Sequence, residues 1–219
     1  MALSFMNETI NKRFANVSRS KTFLNIVSTF DLKNKKVLDI GCSNGEFLAH
    51  FGPDSLGLTI IEEEVKEGQS RGLNISLANI EDENFYLDEK FDVIFANNIF
   101  EHMQSPHNFL LKIKSFLNEN GTLILGVPCI PYITPLMYLN KFRGALASLH
   151  INFFTRSTLA KTAEFAGWTV VENRGFHFKN RFLDFLLNPI YPHFYVVGRV
   201  NKDFKYSNKR LKELEGYNR

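Results

Sequence analysis

The chain has 219 residues, of which 44% are hydrophobic and 22% charged, and its formal net charge is +3. This length suits one domain of ordinary size, and the composition excludes wholesale disorder and fibrous architectures. Because the excess of Lys and Arg is small and forms no dense block, no nucleic-acid partner is expected.

The two cysteines, Cys42 and Cys129, form neither a disulfide framework nor a metal-ligand spacing, so we predict no metal site and a reducing, cytoplasmic environment. The first residues show no basic region followed by an apolar run, and no secretory signal is predicted. Only residues 122–139 approach the length of a membrane span, and their prolines would break a spanning helix. Peripheral contact with a membrane surface stays open.

The N-terminal part is predicted to be helical. Apolar residues recur at helical spacing between Asn7 and Phe30, which indicates one or two amphipathic helices that cap the core. The apolar run from Lys36 to Ile40 then predicts a buried strand that ends at a glycine. Residues 46–51 are predicted as a helix that stops at Gly52-Pro53.

Strands and helices alternate in the next part of the chain. The predicted strands are 55–61, 74–77, 91–96 and 122–127, and the predicted helices are 62–71 and 106–117. This alternation indicates right-handed crossovers and a mostly parallel sheet that helices cover on both faces.

The last third begins with a Pro-rich, irregular stretch, 128–149, which we interpret as an inserted loop or cap over the strand ends. A helix over 155–167 and strands over 168–173 and 193–200 follow. The tail from Asn201 is polar.

The predicted fold is α/β: one Rossmann-like, doubly wound domain around a seven-stranded, mostly parallel sheet. Its predicted parts are an N-terminal helical cap (1–34), a cofactor-binding core (35–127), a cap inserted after strand five (128–154), the C-terminal part of the core (155–200) and a polar tail (201–219). The sequence makes no prediction of the oligomeric state.

The segment from Val37 to Gly45 reads Val-Leu-Asp-Ile-Gly-Cys-Ser-Asn-Gly. An open parallel sheet binds ligands outside the carboxyl ends of its strands, and glycine at the first turn lets the backbone approach a ligand closely. The spacing Gly-x-x-x-Gly differs from the dinucleotide fingerprint Gly-x-Gly-x-x-Gly, and no Gly-Lys-Ser/Thr follows it. The first glycine, Gly41, lies two positions after an acidic residue, Asp39.

This segment resembles the glycine-rich first motif of class I S-adenosylmethionine-dependent methyltransferases. The resemblance extends in order from about Lys35 to Glu172. It includes Leu56–Ile60, Phe91–Asn97, Phe100–Met103, Asn120–Leu123 and His150–Thr155, the last of which is similar to a stretch common in the small-molecule branch.

The resemblance implies S-adenosylmethionine as the cofactor. The glycine loop would hold its methionine part, the end of the second strand would face the ribose, and the loop after the third strand would face the adenine. The residues carried over are Asp39, Gly41, Cys42, Ser43 and Gly45 for the loop, Thr59 and Ile60 for the ribose edge, Asn79 and Ile80 near the adenine, and Asn97 beside the reacting methyl.

Two positions depart from the family pattern. Thr59 and Asn79 stand where the family often has acidic residues, whose carboxylates accept hydrogen bonds from the ribose and the adenine. Glu62, one helical turn after Thr59, is the residue expected to compensate at the ribose edge.

His102 and His150 are the predicted catalytic bases, because a histidine near the mouth of the site has a pKa near neutrality. Each has a structural alternative, a histidine bonded to the backbone. Glu101 is predicted to orient the loop or to cap the following helix. His107, His177 and His193 have no motif around them and are interpreted as surface or core residues.

Aromatic residues are dense between Phe176 and Tyr195, where they would form either core or an apolar acceptor pocket or membrane-facing cap. We favour core for the strand residues and pocket or surface for 176–187. The basic residues at the edge of this segment are Lys141, Arg143, Lys179 and Arg181.

The predicted function is methyl transfer from S-adenosylmethionine to a small-molecule or glycan/lipid-linked acceptor, at oxygen in preference to carbon or nitrogen. Three alternatives stay open: a non-catalytic interaction protein with this fold, an NAD-dependent oxidoreductase, and a nucleic-acid methyltransferase. The last would need a dense basic face or an Asn/Asp-Pro-Pro-Tyr/Phe motif, where this chain reads Ala96-Asn97-Asn98-Ile99.

Overall fold

The computed structural model describes residues 2–217 and, within them, the side chains of residues 7–133 and 135–213. Seven α-helices and eight β-strands follow one another in this described part: α1 (Ala2–Arg19), α2 (Lys21–Thr29), β1 (Val37–Ile40), β2 (Leu56–Thr59), α3 (Glu62–Ser70), β3 (Ile75–Leu77), β4 (Phe91–Asn97), α4 (Pro106–Lys112), β5 (Leu117–Ile130), β6 (Phe154–Thr155), α5 (Arg156–Phe165), β7 (Trp168–Arg174), α6 (Arg181–Leu187), β8 (His193–Val200) and α7 (Asn208–Tyr217).

The strands form a mixed sheet in the order β3-β2-β1-β4-β5-β8-β7. Strands β1 to β5 pair in parallel, and β8 runs antiparallel between β5 and β7. The two-residue β6 pairs with β5 outside this path. The predicted α/β class and mostly parallel sheet are confirmed, and seven strands lie on the main path.

The strand order reverses between β1 and β4, which are neighbours in the sheet although β2 and β3 lie between them in the chain. Ile40 of β1 pairs with Ala96 of β4, so Gly41 and Asn97 follow at the same edge. An open α/β sheet has its ligand crevice at such a reversal, outside the carboxyl ends of the strands.

Helix α2 covers one face of the sheet because its apolar residues recur at helical spacing. Phe23, Ile26 and Val27 are buried, and they share a core cluster with Val37 of β1 and Phe95 of β4. Burying each such side chain contributes about 1.5–3 kcal/mol, which holds the N-terminal helices against the sheet.

A larger core cluster lies on the other face, where α4 and α5 bury Leu110 and Leu159. The indole Nε1 of Trp168 donates a hydrogen bond of 3.1 Å to the Leu110 carbonyl inside this cluster. Helices therefore cover both faces, as the alternation of strands and helices predicted.

The predicted helix over residues 46–51 is wrong. Turn residues and one short 3₁₀ segment, Leu48–His50, occupy this stretch. Six residues between a glycine loop and Gly52-Pro53 are too few to offset the cost of helix nucleation. Glu46, whose side chain is buried, instead pairs with Arg13, whose side chain is half exposed.

The irregular insert starts later than predicted, because β5 continues to Ile130, paired with β8 as far as Pro128 and with β6 at Cys129 and Ile130. The insert then contains two 3₁₀ segments, Thr134–Tyr138 and Asn140–Leu146. Helix α6 lies in a stretch for which the sequence predicted no helix. Among the described residues we find no helix whose length and apolar character would carry it across a bilayer.

Candidate active site

The glycine loop after β1 contains three residues with positive φ. Gly41 has φ +74°, Gly45 has φ +89° and Ser43 has φ +51°. A Cβ on Gly41 would lie 2.9 Å from the Ile99 side chain, so this position has no room for a larger residue. The backbone N–H groups of Gly41 and Cys42 both donate to the Leu58 carbonyl, at 2.9 and 3.0 Å, which ties the loop to β2.

Asp39 lies at the end of β1 beneath this loop, and its carboxyl group is buried. Its Oδ2 atom has no hydrogen-bond partner within the described part of the chain. Burial, and then the nearby charge of Glu46, hold the pKa of Asp39 well above its usual range. An unpartnered buried carboxyl group of this kind favours a cationic ligand, which would stabilise its ionised form.

The side chain of Cys42 points away from the loop into a small core cluster with Leu48, Val65 and Ile75. Burial raises its pKa, and the charges of Asp39, Glu64 and Glu46 raise it further. Cys42 can therefore contribute its backbone to a ligand site, whereas its thiol belongs to the core.

Glu64, in the first turn of α3, joins the loop to the end of β2. Ser43 Oγ donates to Glu64 Oε1 at 2.7 Å, and Thr59 Oγ1 donates to Glu64 Oε2 at 2.5 Å. Glu62, which was expected to compensate for Thr59, is exposed and pairs with Lys66 at 2.8 Å. That expectation is wrong, because the helical phase of α3 brings Glu64 and not Glu62 over the strand end.

Arg13 of α1 reaches the same loop from the N-terminal cap. Its Nη2 donates to Ser43 Oγ at 3.0 Å, and its Nε lies 2.7 Å from Glu46 Oε1. The sequence analysis missed Arg13, Glu46 and Glu64 as site residues. A basic residue on a predicted cap helix carries no local signal for the loop that it will contact.

An open cleft of about 470 Å³ lies beyond the end of β3, lined by residues that include Ile60, Asn79 and Phe85. Ile60 is 71% exposed, and the side chain of Asn79 accepts a hydrogen bond of 3.0 Å from Glu81 N. The side chain of Ile80 is buried in the main core, so only its backbone is available near the cleft.

Asn97 ends β4 with its side chain buried and its Oδ1 unpartnered among the described residues. A Cβ on Gly126 would lie 2.4 Å from this oxygen, so the side chain lies directly over Gly126 of β5. The next residue, Asn98, has φ +55°, and its Oδ1 lies 2.8 Å from His193 Nε2. His193, expected at the surface or in the core, thus lies at the carboxyl edge of the sheet, where burial lowers its pKa to about 3.

His102 and His150, predicted separately, are brought together by the fold. Their rings meet edge to face with centroids 4.8 Å apart. His102 Nδ1 lies 3.0 Å from the Leu149 carbonyl oxygen, which can only accept a hydrogen bond. His102 therefore carries a proton on Nδ1, and its Nε2 is the free base atom when the ring is neutral.

Glu101 completes this cluster. Its Oε1 lies 3.9 Å from His150 Nε2, and neither its Oε2 nor His150 Nδ1 has a partner among the described side chains. Burial raises the pKa of Glu101 to about 7, and burial followed by the charge of His102 lowers that of His150. Ligand atoms of all three residues lie within 4.8 Å of one another, so the cluster can share a proton or hold a cation, which the sequence did not predict.

The backbone of Glu101 joins the turn after β4 to the inserted segment. Its carbonyl accepts hydrogen bonds from the backbone N–H groups of Ile151 and Asn152, at 3.1 and 3.0 Å. It does not cap α4; the carboxylate of Glu81 accepts instead from Ser105 N at 2.9 Å, just before that helix.

The aromatic residues between Phe176 and Tyr195 are partly core and partly surface. Phe176 was expected in a pocket or at the surface but is buried, packed against Phe30 and Tyr195. Phe182 and Phe185 of α6 are exposed, as the surface interpretation of 176–187 predicted.

A family model described as a methyltransferase domain matches residues 11–173, about three quarters of the chain. The chain belongs to this methyltransferase family. The solved S-adenosylmethionine-dependent methyltransferase of Clostridium acetobutylicum has a similar fold, with a TM-score of 0.63 over 83% of this chain and 91% of that one, at 11% identity.

Two curated relatives share more of the sequence. A ubiquinone biosynthesis O-methyltransferase of Glaesserella parasuis is 33% identical over an alignment of 111 residues that covers 45% of this chain and 47% of that protein. A tRNA U34 carboxymethyltransferase of Nautilia profundicola is 31% identical over an alignment of 106 residues that covers 43% of this chain and 35% of that protein. The aligned parts thus span less than half of each of these two relatives.

These similarities confirm three predictions: the class I methyltransferase fold, an enzyme, and S-adenosylmethionine as the cofactor of the family. The methyltransferase domain accounts for the glycine loop without a nicotinamide cofactor, so the oxidoreductase alternative is set aside.

Proposed function

We propose that this methyltransferase transfers the methyl group of S-adenosylmethionine to a hydroxyl oxygen of a small-molecule or glycan/lipid-linked acceptor. The observation that carries the proposal is the cluster that Glu101 and His102, in the turn after β4, form with His150 of the insert. Transfer to a hydroxyl needs positioning, exclusion of water and removal of one proton. This proton-active cluster, in which Glu101 is buried and the two histidines are partly exposed, suits the last of these tasks.

The glycine loop suits the charge of the cofactor. When bound, S-adenosylmethionine supplies an activated methyl group on a cationic sulfonium, and its methionine part adds an ammonium and a carboxylate. Asp39, Glu46 and Glu64 surround the loop closely enough to raise the pKa of Cys42, and Arg13 is the cation in contact with it. The carboxylates would stabilise the cationic groups, and the Arg13 guanidinium would pair with the cofactor carboxylate.

The remaining cofactor contacts are assigned from the same geometry. The backbone of Gly41, Cys42, Ser43 and Gly45 would hold the methionine part. Glu64, held by Thr59, supplies the acidic acceptor for the ribose hydroxyls that Thr59 lacks. Ile60, Asn79 and the backbone of Ile80 would line the adenine cleft, and Asn97 would lie beside the methyl group.

His102 is the proposed base. Because its Nδ1 is bonded to the Leu149 carbonyl, its Nε2 accepts the proton of the acceptor hydroxyl. His150 packs edge to face against the same ring, and the ionised form of Glu101 stabilises the positive charge that develops on the histidine pair. A positioned base of this kind contributes about 10²–10⁴-fold to a rate.

Two observations support one acceptor class over the other. The relative named as a tRNA U34 carboxymethyltransferase makes RNA the competing acceptor, and RNA binding requires a dense array of cations. Residues 132–153, which contain His150, and residues 178–190 expose mainly large apolar side chains. An acceptor with an apolar body is favoured, in agreement with the relative named as a ubiquinone biosynthesis O-methyltransferase.

The acceptor class is tested with methyl-tritiated S-adenosylmethionine and an extract from cells that lack this gene, separated into lipids, water-soluble small molecules and RNA. We expect label in the lipid or small-molecule fraction, in a linkage that resists alkali as an ether does. Label confined to RNA, or attached to carbon or nitrogen, would overturn the proposal.

The proposed base is tested in the labelled fraction. We expect His102→Gln to lower kcat by about 10²–10⁴-fold with little change in the KM for S-adenosylmethionine. His107→Gln is the matched control, because His107 lies on α4 and bonds to Tyr206, 2.8 Å away. An unchanged kcat in His102→Gln would assign His102 a structural role.

A further inference from the structure

Helix α6 is oriented opposite to an ordinary surface helix. Asp184 is its buried residue, with no exposed area, whereas Phe182, Phe185 and Leu186 are 66%, 65% and 54% exposed. A surface helix normally places its apolar residues on the core and its charges in water. The outward apolar face of α6 therefore requires an explanation.

A buried ion pair holds α6 in this orientation. Asp184 Oδ2 accepts a hydrogen bond of 2.6 Å from Arg174 Nη1, and Asp184 Oδ1 accepts one of 3.0 Å from Phe178 N. Arg174 also donates to the Phe178 carbonyl at 2.9 Å and pairs with Glu172 at 2.6 Å. Rotation of the helix to bury its phenylalanines would take the Asp184 carboxylate away from Arg174 and leave the buried guanidinium with one carboxylate partner, Glu172, in place of two.

The apolar surface continues from α6 onto the inserted cap. Of the 23 exposed large apolar side chains in the described part, eight lie in residues 132–153 and six in 178–190. The two segments leave the sheet side by side, because the backbone N–H of Cys129, just before the insert, donates a hydrogen bond of 2.8 Å to the carbonyl of Pro192, just after residues 178–190. Together, residues 132–153 and 178–190 form what we call the apolar face.

The charges of the apolar face all have one sign at the surface. Residues 128–155 contain no Asp or Glu, and Asp184 is the sole acidic residue between 175 and 192. Because Asp184 is buried, the exposed charges are Lys141, Arg143, Lys179 and Arg181, and Glu172 pairs with the last of these. A protein partner would need acids matched to these positions, whereas an anionic bilayer offers negative charge across its whole surface.

The apolar face is attached directly to the Glu101–His102–His150 cluster. His102 bonds to the carbonyl of Leu149, which is 79% exposed, and the carbonyl of Glu101 holds the backbone of Ile151. A bilayer against this face would bring lipid-dissolved molecules to the mouth of the site. That last consequence rests on the proposed function, whereas the docking itself does not.

We propose that the apolar face docks on the surface of an anionic phospholipid bilayer, with the aromatic side chains of α6 in the acyl boundary and Lys141, Arg143 and Lys179 at the headgroups. Aromatic and aliphatic side chains edged by basic residues are the composition that interfacial segments use. The contact is peripheral, since α6 is seven residues long and lies along the protein surface.

Vesicle flotation of the full chain tests the proposal, with vesicles of phosphatidylcholine alone and of phosphatidylcholine with phosphatidylglycerol. We expect binding to the anionic vesicles that is at least tenfold tighter than to the neutral ones and that weakens as salt is added. Equal binding to both, or binding to neither, would overturn the proposal.

Two double variants locate the docking surface. Phe182→Ser with Phe185→Ser, and separately Lys141→Glu with Arg143→Glu, should each weaken binding to the anionic vesicles at least tenfold. The matched controls lie on α5: Phe165→Ser removes a phenylalanine that is 68% exposed elsewhere, and Lys161→Glu reverses an exposed charge. Controls that weaken binding as much as the double variants would contradict the assignment.

Two further measurements keep the result interpretable. Thermal melts establish that each variant is folded, and the charge variant leaves the test in place if the phenylalanine variant fails to fold.

Sedimentation velocity examines self-association. A concentration-dependent dimer that Phe182→Ser with Phe185→Ser converts to monomer, in a protein that does not float with vesicles, would assign the apolar face to a second copy of the chain. Binding of S-adenosylmethionine, measured separately, tests the proposed function without vesicles.

Discussion

The carboxylate of Glu64 accepts a 2.5 Å hydrogen bond from the hydroxyl of Thr59, across the turn between β2 and α3. Its other oxygen accepts from Ser43, so this one side chain joins the end of β2 to the glycine loop. Position 59, at the end of β2, carries no carboxylate. Glu64, in the first turn of α3, places one beside it.

Glu64→Gln should weaken binding of S-adenosylmethionine by about 10- to 100-fold, because hydrogen bonds to a charged group contribute about 1.5–3 kcal/mol. Isothermal titration calorimetry measures the change. Glu62→Gln is the control, since Glu62 is exposed and pairs only with Lys66 within the described part. Equal effects of the two substitutions would mean that Glu64 has no special position at the ribose edge.

Arg13→Met should weaken S-adenosylmethionine about tenfold through loss of a charge-assisted contact to the cofactor carboxylate. It should leave 5′-methylthioadenosine unaffected, because that compound lacks the carboxylate. Lys12→Met is the matched control: Lys12 is the preceding residue of α1 and pairs with Glu8 at the surface. If both ligands weaken equally in Arg13→Met, the arginine acts on the fold of the loop and not on the ligand.

Gly41→Ala should lower the free energy of unfolding by more than Gly72→Ala does. Both glycines have a left-handed backbone, with φ +74° and +78°, but a Cβ at position 41 meets Ile99 at 2.9 Å and one at position 72 meets nothing within 4 Å. The backbone strain alone costs about 1–2 kcal/mol. Urea titration of both variants isolates the steric part, and only Gly41→Ala should also lose affinity for S-adenosylmethionine.

Glu101 should make the protein less stable as the pH rises from about 4.5 towards 7. Burial raises the pKa of Glu101 from 4.5 to about 7 in the folded state, so the folded state binds more protons than the unfolded state across this window. Stability then falls with increasing pH, by up to about 3 kcal/mol over the interval.

Glu101→Gln removes this titrating group, so the difference in unfolding free energy between the wild type and the variant should change with pH in that window and be flat below it. Urea titrations at pH 4, 5.5 and 7 measure the difference and cancel the contribution of Asp39, whose pKa burial also raises. A difference that is constant across the three pH values would place the Glu101 carboxyl group in contact with water.

Local patterns were sufficient for the sheet and for the glycine loop. A run of four buried residues over Val37–Ile40 and the need for glycine at positive φ are properties of adjacent residues, and both were predicted. The helix over residues 46–51 was mispredicted from the same kind of pattern. There the competing interaction, the ion pair of Glu46 with Arg13, comes from a distant helix that no local pattern describes.

The cluster at the turn after β4 was predicted in part. His102 and His150 were each proposed as bases, but nothing in the sequence indicated that their rings would meet or that Glu101 would be buried with them. The orientation of α6 is a similar case. From the sequence, its apolar residues are equally compatible with a pocket and with an exposed surface. In the structure, the ion pair of Asp184 with Arg174 fixes the helix so that its phenylalanines face outward.

The sequence by itself determined the α/β fold, the family and its cofactor, because strand periodicity, glycine positions and ordered motifs are short-range features. Only the tertiary structure decided which charges act on the cofactor loop and which surface is apolar. Arg13 and Glu64 lie 30 and 21 residues from Ser43, and such contacts depend on how helices pack across the sheet. Their energies come from burial and charge pairing, which exist only once distant segments share one interior.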